Sequence, residues 1–312
     1  MTTATATKLE QELEAIHTGA AIYPLTDRAF LRITGSDATR WLNGMVTNSI
    51  QSLAPGEGNY NFLLNAQGRI QGDCTIYRDG EDYLLVTDAA QAETIANLLD
   101  KFIIMDDVEL TPTLADEQSL LILGPNALTI LQSLALPALD PFNLAHADTP
   151  HGPVLLLSTA ANHYELRAAT TTITALTDIT GLTPISAEAL ETQRILSATP
   201  KFGQDIRDRD LPQETAQTHA LHFAKGCYLG QEIVERIRSR GQVHRTFTAF
   251  TLTGQLPELP ATLEANGKPA GELTSAIQIG DTLHALGYLR REAASQSLTY
   301  PGGTATPKNP TA

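Results

Sequence analysis

Residues 225–245 read KGCYLGQEIVERIRSRGQVHR, and the rest of the chain is best read outward from this stretch. Gly226 and Gly230 bracket a turn. From Gln231 the apolar residues Ile233, Val234 and Ile237 recur at helical spacing, and Gly241 is placed to end the helix. Glu232, Arg236 and Arg240 stand four apart on one face, the spacing of an exposed ion-pair ladder. Cys227 follows Lys225 by two positions and precedes the predicted helix N-terminus. A neighbouring cation and a helix N-terminus both favour the thiolate that reactive cysteines require. The plainer alternative is an inert buried thiol.

The chain has 312 residues, with 21 Lys and Arg against 35 Asp and Glu, a formal charge of −14. A chain this acidic is a poor candidate for binding duplex DNA, whose affinity comes largely from cations neutralising phosphates. The stretch 225–245 runs against that balance, with Lys225, Arg236, Arg238, Arg240 and Arg245 facing only Glu232 and Glu235. An acidic body with one basic island can attract an anionic ligand or an acidic patch of a partner. Hydrophobic residues make up 42% of the chain, a folded composition. The uncharged run from Gln118 to Leu139 is broken by Gly124-Pro125 and Pro137, so it reads as strand, turn and helix, not as a membrane span. The N-terminal stretch carries Glu10, Glu12 and Glu14 and no apolar core of a signal peptide. Two cysteines, Cys74 and Cys227, suit a reducing cytoplasm.

Along the chain, Leu9, Leu13 and Ile16 predict a short amphipathic helix after a loose Thr/Ala segment. Phe30–Ile33 reads as a strand, and Ser36-Asp37 as the N-cap of a helix carrying Trp41, Leu42 and Met45. Alternation through Tyr60, Phe62 and Leu64, the turn Ala66-Gln67-Gly68, and the run Ile70, Asp73, Ile76 predict a hairpin, extended by a third strand at Tyr83–Val86. Residues 88–101 have helical composition. Strands near 107–113, 119–123, 154–157 and 164–166 alternate with helices from about Pro125, near 170–180 and near 186–196. After Gly241 short strands and Gly/Pro turns predict a small β-barrel or sandwich. Composition and periodicity thus predict α+β followed by all-β.

Walker A, GxGxxG, HExxH, GxSxG and CxxC patterns are absent, which leaves nucleotide, zinc-protease, serine-hydrolase and dithiol chemistry without local support. His219, His222 and Cys227 form an HxxHxxxxC arrangement, but no fourth ligand accompanies it and no metal is assigned.

KGCYLGQE followed by Arg236, Gly241 and Arg245 resembles the signature of the YgfZ family, folate-binding relatives of the glycine-cleavage T-protein implicated in iron-sulfur cluster assembly or repair. Leu211-Pro212-Gln213-Glu214 and Ala189–Ile195 with Pro200, Gly203 and Asp205 resemble further elements of that family. GSDATRWLNGMVTN, Pro55-Gly56, LLNAQGRIQGD and KPAGELTSA resemble the wider T-protein superfamily, so the likeness runs from about residue 22 to 295. Ser49 and Ala198 depart from it, where the family often has Asp and Gly.

The resemblance implies a T-protein-like cloverleaf: a flexible segment and short helix over 1–21, two interleaved α+β folate-binding units over 22–241, a C-terminal β-barrel over 242–300 and a disordered tail over 301–312. It implies tetrahydrofolate as cofactor, with Glu165 of Tyr164-Glu165 at the pterin edge and Arg194 near the folate tail. A carboxylate can accept two hydrogen bonds from an aminopyrimidine, and a guanidinium suits a carboxylate. Without the resemblance these would read as an ordinary strand Glu and a surface Arg. Asp73 matches an aspartate that assists one-carbon transfer, and Cys227 becomes a functional thiol set among Lys225, Gly226, Tyr228, Gly230, Gln231, Glu232 and Arg236. The expected partners are iron-sulfur client or assembly proteins, not nucleic acid or membrane, in the cytoplasm. The competing readings are a folate-dependent aminomethyltransferase or demethylase of the T-protein type, and a scaffold with a vestigial pocket.

Overall fold

The computed structural model describes residues 7–113, 116–241 and 243–308. The looseness expected before Lys8, over residues 1–6, and the last four residues of the expected tail lie outside the described residues. The chain divides into two compact units. The first holds the chain up to Asn61 and Cys74–Leu190, and the second holds Phe62–Asp73 and everything from Glu191 onward.

The first unit opens with α1 (Lys8–Thr18), started by a capping box: the Thr7 amide donates to the Glu10 carboxylate at 2.7 Å while the Glu10 amide donates to Thr7 Oγ1 at 3.3 Å. Leu13 and Ile16 are buried, as their spacing requires, and Glu12 is buried beside them. The sequence then enters β1 (Ala21–Leu25) and β2 (Arg28–Thr34), followed by α2 (Ala38–Met45). Asp37 is the N-cap of α2 by position but gives no capping hydrogen bond; its carboxylate instead accepts from the Asp107 amide and pairs with Arg40.

The predicted hairpin forms from β3 (Gly58–Leu64) and β4 (Ile70–Asp79), and β5 (Asp82–Asp88) follows. After α3 (Ala89–Asp100) the strand β6 (Glu109–Pro112) completes a five-stranded sheet in the order β3-β4-β5-β2-β6.

A second sheet is built from β7 (Glu117–Leu123), β8 (Leu144–Thr149), β9 (Gly152–Ala160), β10 (His163–Ala169) and β11 (Thr183–Pro184) with β1, in the order β11-β1-β7-β10-β9-β8. One face of it carries Ile122, Leu156, Tyr164, Leu166 and Ala168 in a core with residues of α4 (Ala127–Ser133) and α5 (Thr170–Thr177). A strand sends alternate side chains to opposite faces. Leu157 accordingly joins Phe30, Tyr77, Leu84 and Val86 of the other sheet in a separate core. Glu165 and Arg167 alternate with the residues of the first core and so share the face of Leu157, and the Arg167 guanidinium stacks 3.8 Å from the centre of the Phe30 ring.

In the second unit, β12 (Arg245–Gly254), β13 (Ala261–Ala265), β14 (Lys268–Ile279), β15 (Thr282–Arg290), β16 (Leu298–Tyr300) and β17 (Gly303–Pro307) form a closed barrel. Phe250, Leu263, Leu273, Leu289 and Ala305 are among the buried residues that fill it. This corrects the expectation of disorder from residue 301. β17 pairs with β12 from Gly254↔Gly303 to Phe250↔Pro307 and with β16, because an open barrel would leave two rows of backbone groups unpaired. The composition of the segment, rich in Gly, Pro and Thr, hid a strand whose pairing is supplied by residues fifty positions away. Among the described residues no helix is long and apolar enough to cross a membrane. Deleting the chain from Pro301 removes the closing strand and is expected to lower the thermal midpoint by more than about 5 °C; an unchanged midpoint in calorimetry would contradict this role.

Candidate functional site

Glu165 lies in the middle of β10, opposite Leu121 and Leu157 on its two neighbouring strands, and is 0% exposed. Among the described residues neither carboxylate oxygen has a hydrogen-bond partner. Among the described residues its one ion pair within 4.0 Å is with Arg28, at the start of β2, whose Nε stands 3.3 Å from Oε2 without hydrogen-bond geometry. Arg28 is held from its other side by Asp88, its cross-strand neighbour, at 2.9 Å. Burial by itself would lower the pKa of Arg28, but Glu165, Asp88 and Asp27 outweigh it and raise it, so the guanidinium stays charged. Tyr77, fully buried on β4, donates to the Ser158 carbonyl at 3.2 Å, and burial first and Glu165 second push its phenol upward.

Buried polar atoms are almost always satisfied, so two orphaned carboxylate oxygens on one side chain call for a ligand or a chemical role. A flat heterocycle edge with two N–H donors fits that requirement. Neither Arg28 nor Tyr77 was singled out by the sequence; they stand on strands remote from Tyr164-Glu165, and no local pattern links them.

Arg194 is placed differently. It sits on α6 (Ala187–Leu196) in the second unit, and its five N–H donors are all engaged. Nε and Nη2 grip the two oxygens of Glu191 at 2.8 and 2.6 Å, Nη1 reaches the Thr199 carbonyl at 2.7 Å and Asp205 at 2.6 Å, and Nη2 also meets Ser275 Oγ at 2.9 Å. Asp205, fully buried, accepts in addition from the Lys201 amide and from the hydroxyls of Thr274 and Ser275. A guanidinium has five donors and no more. In this arrangement Arg194 braces α6 to the following loop and to the barrel strand β14.

The KGCYLGQE stretch folds as a turn leading into α7 (Gln231–Arg240). Gly230 is its N-cap at φ +82°, where a Cβ would stand 2.6 Å from the Asn65 carbonyl oxygen. A Cβ on Gly68, in the turn of the hairpin, would stand 2.7 Å from Ile233 Cβ. Backbone-close packing of helix on hairpin turn is what both glycines permit. Gln231 Oε1 accepts from the Tyr228 amide at 3.1 Å and closes the turn, and Gln213 of the LPQE element donates to the Val234 carbonyl at 2.9 Å.

Cys227 is exposed, whereas Cys74 is buried. It lies three residues before the N-cap, outside the first turn of the helix. Lys225 sits 5.0 Å from the centre of the Tyr228 ring, and burial lowers its pKa to about 7, while burial raises that of Tyr228 to about 12. Burial thus makes Lys225 a weaker cation than the sequence suggests. Gly226, exposed, has no atom within 4 Å of where its Cβ would be.

The expected ladder on α7 is also corrected. Glu232 and Arg236 are exposed and make no ion pair within 4.0 Å among the described residues. The pair that forms is Glu235 with Arg238 at 3.6 Å, and the Arg240 side chain lies outside the described residues.

Asp73 occupies the half-buried face of β4 with Gln71 and Thr75, while Ile70, Cys74 and Ile76 fill the other. It belongs to the second unit, as do the KGCYLGQE residues and Arg194, whereas Glu165 belongs to the first. A cleft of 1030 Å³ in the second unit is lined by Arg209, Glu214, Arg245, Glu272, Tyr288 and Arg291, among others, with neither Cys227 nor Asp73 in its wall. There Arg245 binds Asp210 at 2.5 Å, Glu214 at 3.2 Å and Glu272 at 3.4 Å while stacking on Tyr288. Among the described residues no three His, Cys, Asp or Glu side chains converge as metal ligands.

Comparison with known proteins gives this geometry a family. The GCVT N-terminal domain matches residues 2–225, and the CAF17 C-terminal beta-barrel domain matches residues 245–312. An aminomethyltransferase of Geobacillus kaustophilus (strain HTA426) is 27% identical over 286 residues, covering 86% of this chain and 78% of the relative. An aminomethyltransferase of Synechocystis sp. (strain ATCC 27184 / PCC 6803 / Kazusa) is 25% identical over 306 residues, covering 92% and 82%. The crystal structure of glycine cleavage system aminomethyltransferase T from Bartonella henselae superposes with a TM-score of 0.84 over 97% of this chain and 88% of that one, at 18% identity, and so shares the fold. A GCVT N-terminal domain followed by the CAF17 barrel is the architecture of the YgfZ/CAF17 family, and this chain belongs to it.

Proposed function

We propose that this protein binds tetrahydrofolate and acts in the assembly or repair of iron-sulfur clusters, with Cys227 as its functional thiol. The observation that carries the folate reading is the Glu165 carboxylate, buried, charge-compensated by Arg28 and without a single hydrogen bond. Tetrahydrofolate supplies a pterin edge with adjacent N–H donors and nitrogens able to carry a one-carbon unit. In this reading Glu165 holds the pterin edge, and the one-carbon state of the cofactor is left open. The thiol reading rests on Cys227 being the exposed member of the two cysteines, on a turn that Gln231 closes and that Gly230 and Gly68 let pack against the hairpin. In this reading the protein works in the cytoplasm on iron-sulfur client or assembly proteins.

A second reading, a T-protein-type aminomethyltransferase, is favoured by the names of the similar proteins and by Asp73 on β4. Formation of methylene-tetrahydrofolate from an aminomethylated lipoyl protein would decide for it.

Three outcomes test the proposal. Isothermal titration with tetrahydrofolate is expected to show binding that Glu165→Ala weakens by about 2 kcal/mol, near thirtyfold, through loss of charged hydrogen bonds; no binding at millimolar ligand would favour a scaffold with a vestigial pocket. Cys227→Ser is expected to fail to restore growth of a deletion strain under oxidative stress, and full restoration would remove the thiol role. Lys225, with its amine at about 7, is expected to acylate with half-maximal rate near that pH, while ordinary lysines need pH near 10. The neutral amine is the nucleophile, so labelling rises as pH passes through 7, and a profile midpoint above 9 would contradict the burial of Lys225.

A further inference from the structure

Resting on the folate reading, we infer that Arg28 determines which pteridine edge Glu165 accepts, selecting a neutral 2-amino-4-oxo edge over a protonated 2,4-diamino edge. Two kinds of pteridine can offer a carboxylate a pair of adjacent N–H donors. The 2-amino-4-oxo form does so uncharged, through N3 and the 2-amino group. The 2,4-diamino form does so after protonation at N1, and brings a positive charge.

A lone buried carboxylate favours the second, because the incoming cation compensates the buried charge. Glu165 is not alone. Arg28 stands 3.3 Å from Oε2, so the compensating charge is already built in where the two sheets share a buried face. The pairing is one of charge only: the contact lacks hydrogen-bond geometry, and both Glu165 oxygens and Arg28 Nε remain without partners. The lone pairs that a ligand edge needs are thus kept free while the charge that would attract a cation is spent.

The surrounding groups support the same division. Asp88 binds Arg28 Nη1 at 2.9 Å and fixes the guanidinium from the far side, and exposed Asp27 precedes it in the chain. The Tyr77 hydroxyl is committed to the Ser158 carbonyl and does not donate to Glu165. A cationic ligand at Glu165 would therefore meet a like charge within a few ångströms in a buried setting, where charges interact more strongly than in water. The contrast with Arg194 and Asp205 is direct. There the guanidinium and carboxylate are joined by a hydrogen bond at 2.6 Å and every donor is used, as a structural brace requires.

The test uses the full chain and a matched ligand pair, tetrahydrofolate and the same molecule with an amino group replacing the 4-oxo oxygen, at a pH where the latter is protonated. The wild type is expected to bind the 4-oxo form at least roughly tenfold more tightly. Arg28→Met is expected to lose or invert that ratio, whereas Arg28→Lys, which keeps the charge, is expected to hold it within about threefold. Should Arg28→Met fold poorly by thermal melting, Arg28→Gln, which retains an N–H for Asp88, gives the same readout. An unchanged ratio in the uncharged variants would overturn the inference while leaving folate binding intact. Failure of the wild type to bind either compound, with Glu165→Gln indistinguishable from it, would instead overturn the folate reading and this inference together.

Discussion

Taking a carboxylate out of water costs several kcal/mol unless a partner cation and hydrogen bonds replace the lost hydration, and this chain buries several. Asp205 and Asp210 each meet that demand with an arginine and additional donors: Arg194, the Lys201 amide, Thr274 and Ser275 for the first, and Arg245, the Arg207 amide and Tyr288 for the second. Glu214 is capped by the Leu211 amide and shares Arg245. Glu165 alone of these has charge compensation and no hydrogen bond. The difference separates acids that hold the fold together through hydrogen bonds from Glu165, which has none among the described residues.

The same constraint explains why Arg194 and Glu165 part company. Both occupy positions that the family likeness assigns to folate, yet an arginine with all five donors engaged is a joint between α6, the loop at Thr199–Asp205 and the barrel. Releasing it would take from buried Asp205 its charge partner and leave only the Lys201 amide and the Thr274 and Ser275 hydroxyls as donors. Glu165 has no hydrogen bond among the described residues that a partner would have to displace.

The KGCYLGQE element owes its shape to close backbone approach. Gly230 and Gly68 let the start of α7 lie against the hairpin turn, and Gln231 turns back to the Tyr228 amide. Its thiol is exposed on a turn that lies outside the first helical turn, whereas burial lowers the pKa of its lysine. The basic island seen in the sequence is also divided by folding: Arg245 is absorbed by three carboxylates, and Arg238 stacks on Phe223 and pairs with Glu235.

The α+β body, the barrel after Gly241, the hairpin at Gly68 and the helix at Gln231 were legible in the sequence, because periodicity, turn residues and caps act over a few positions and leave local traces. Glu165, Cys227 and Asp73 were legible only through motifs. What local pattern does not carry is pairing across the chain. The strand at Gly303–Pro307 exists because β12 and β16 have edges to close; the saturation of Arg194 depends on Thr199, Asp205 and Ser275; and Arg28 reaches Glu165 only because β2 and β10 belong to sheets that share a buried face. The sequence by itself determined which residues can carry charge, turn the chain or bury a face. Only the tertiary structure decided which charges are spent on one another and which are left for a ligand, since that depends on distances of a few ångströms between residues far apart in the chain.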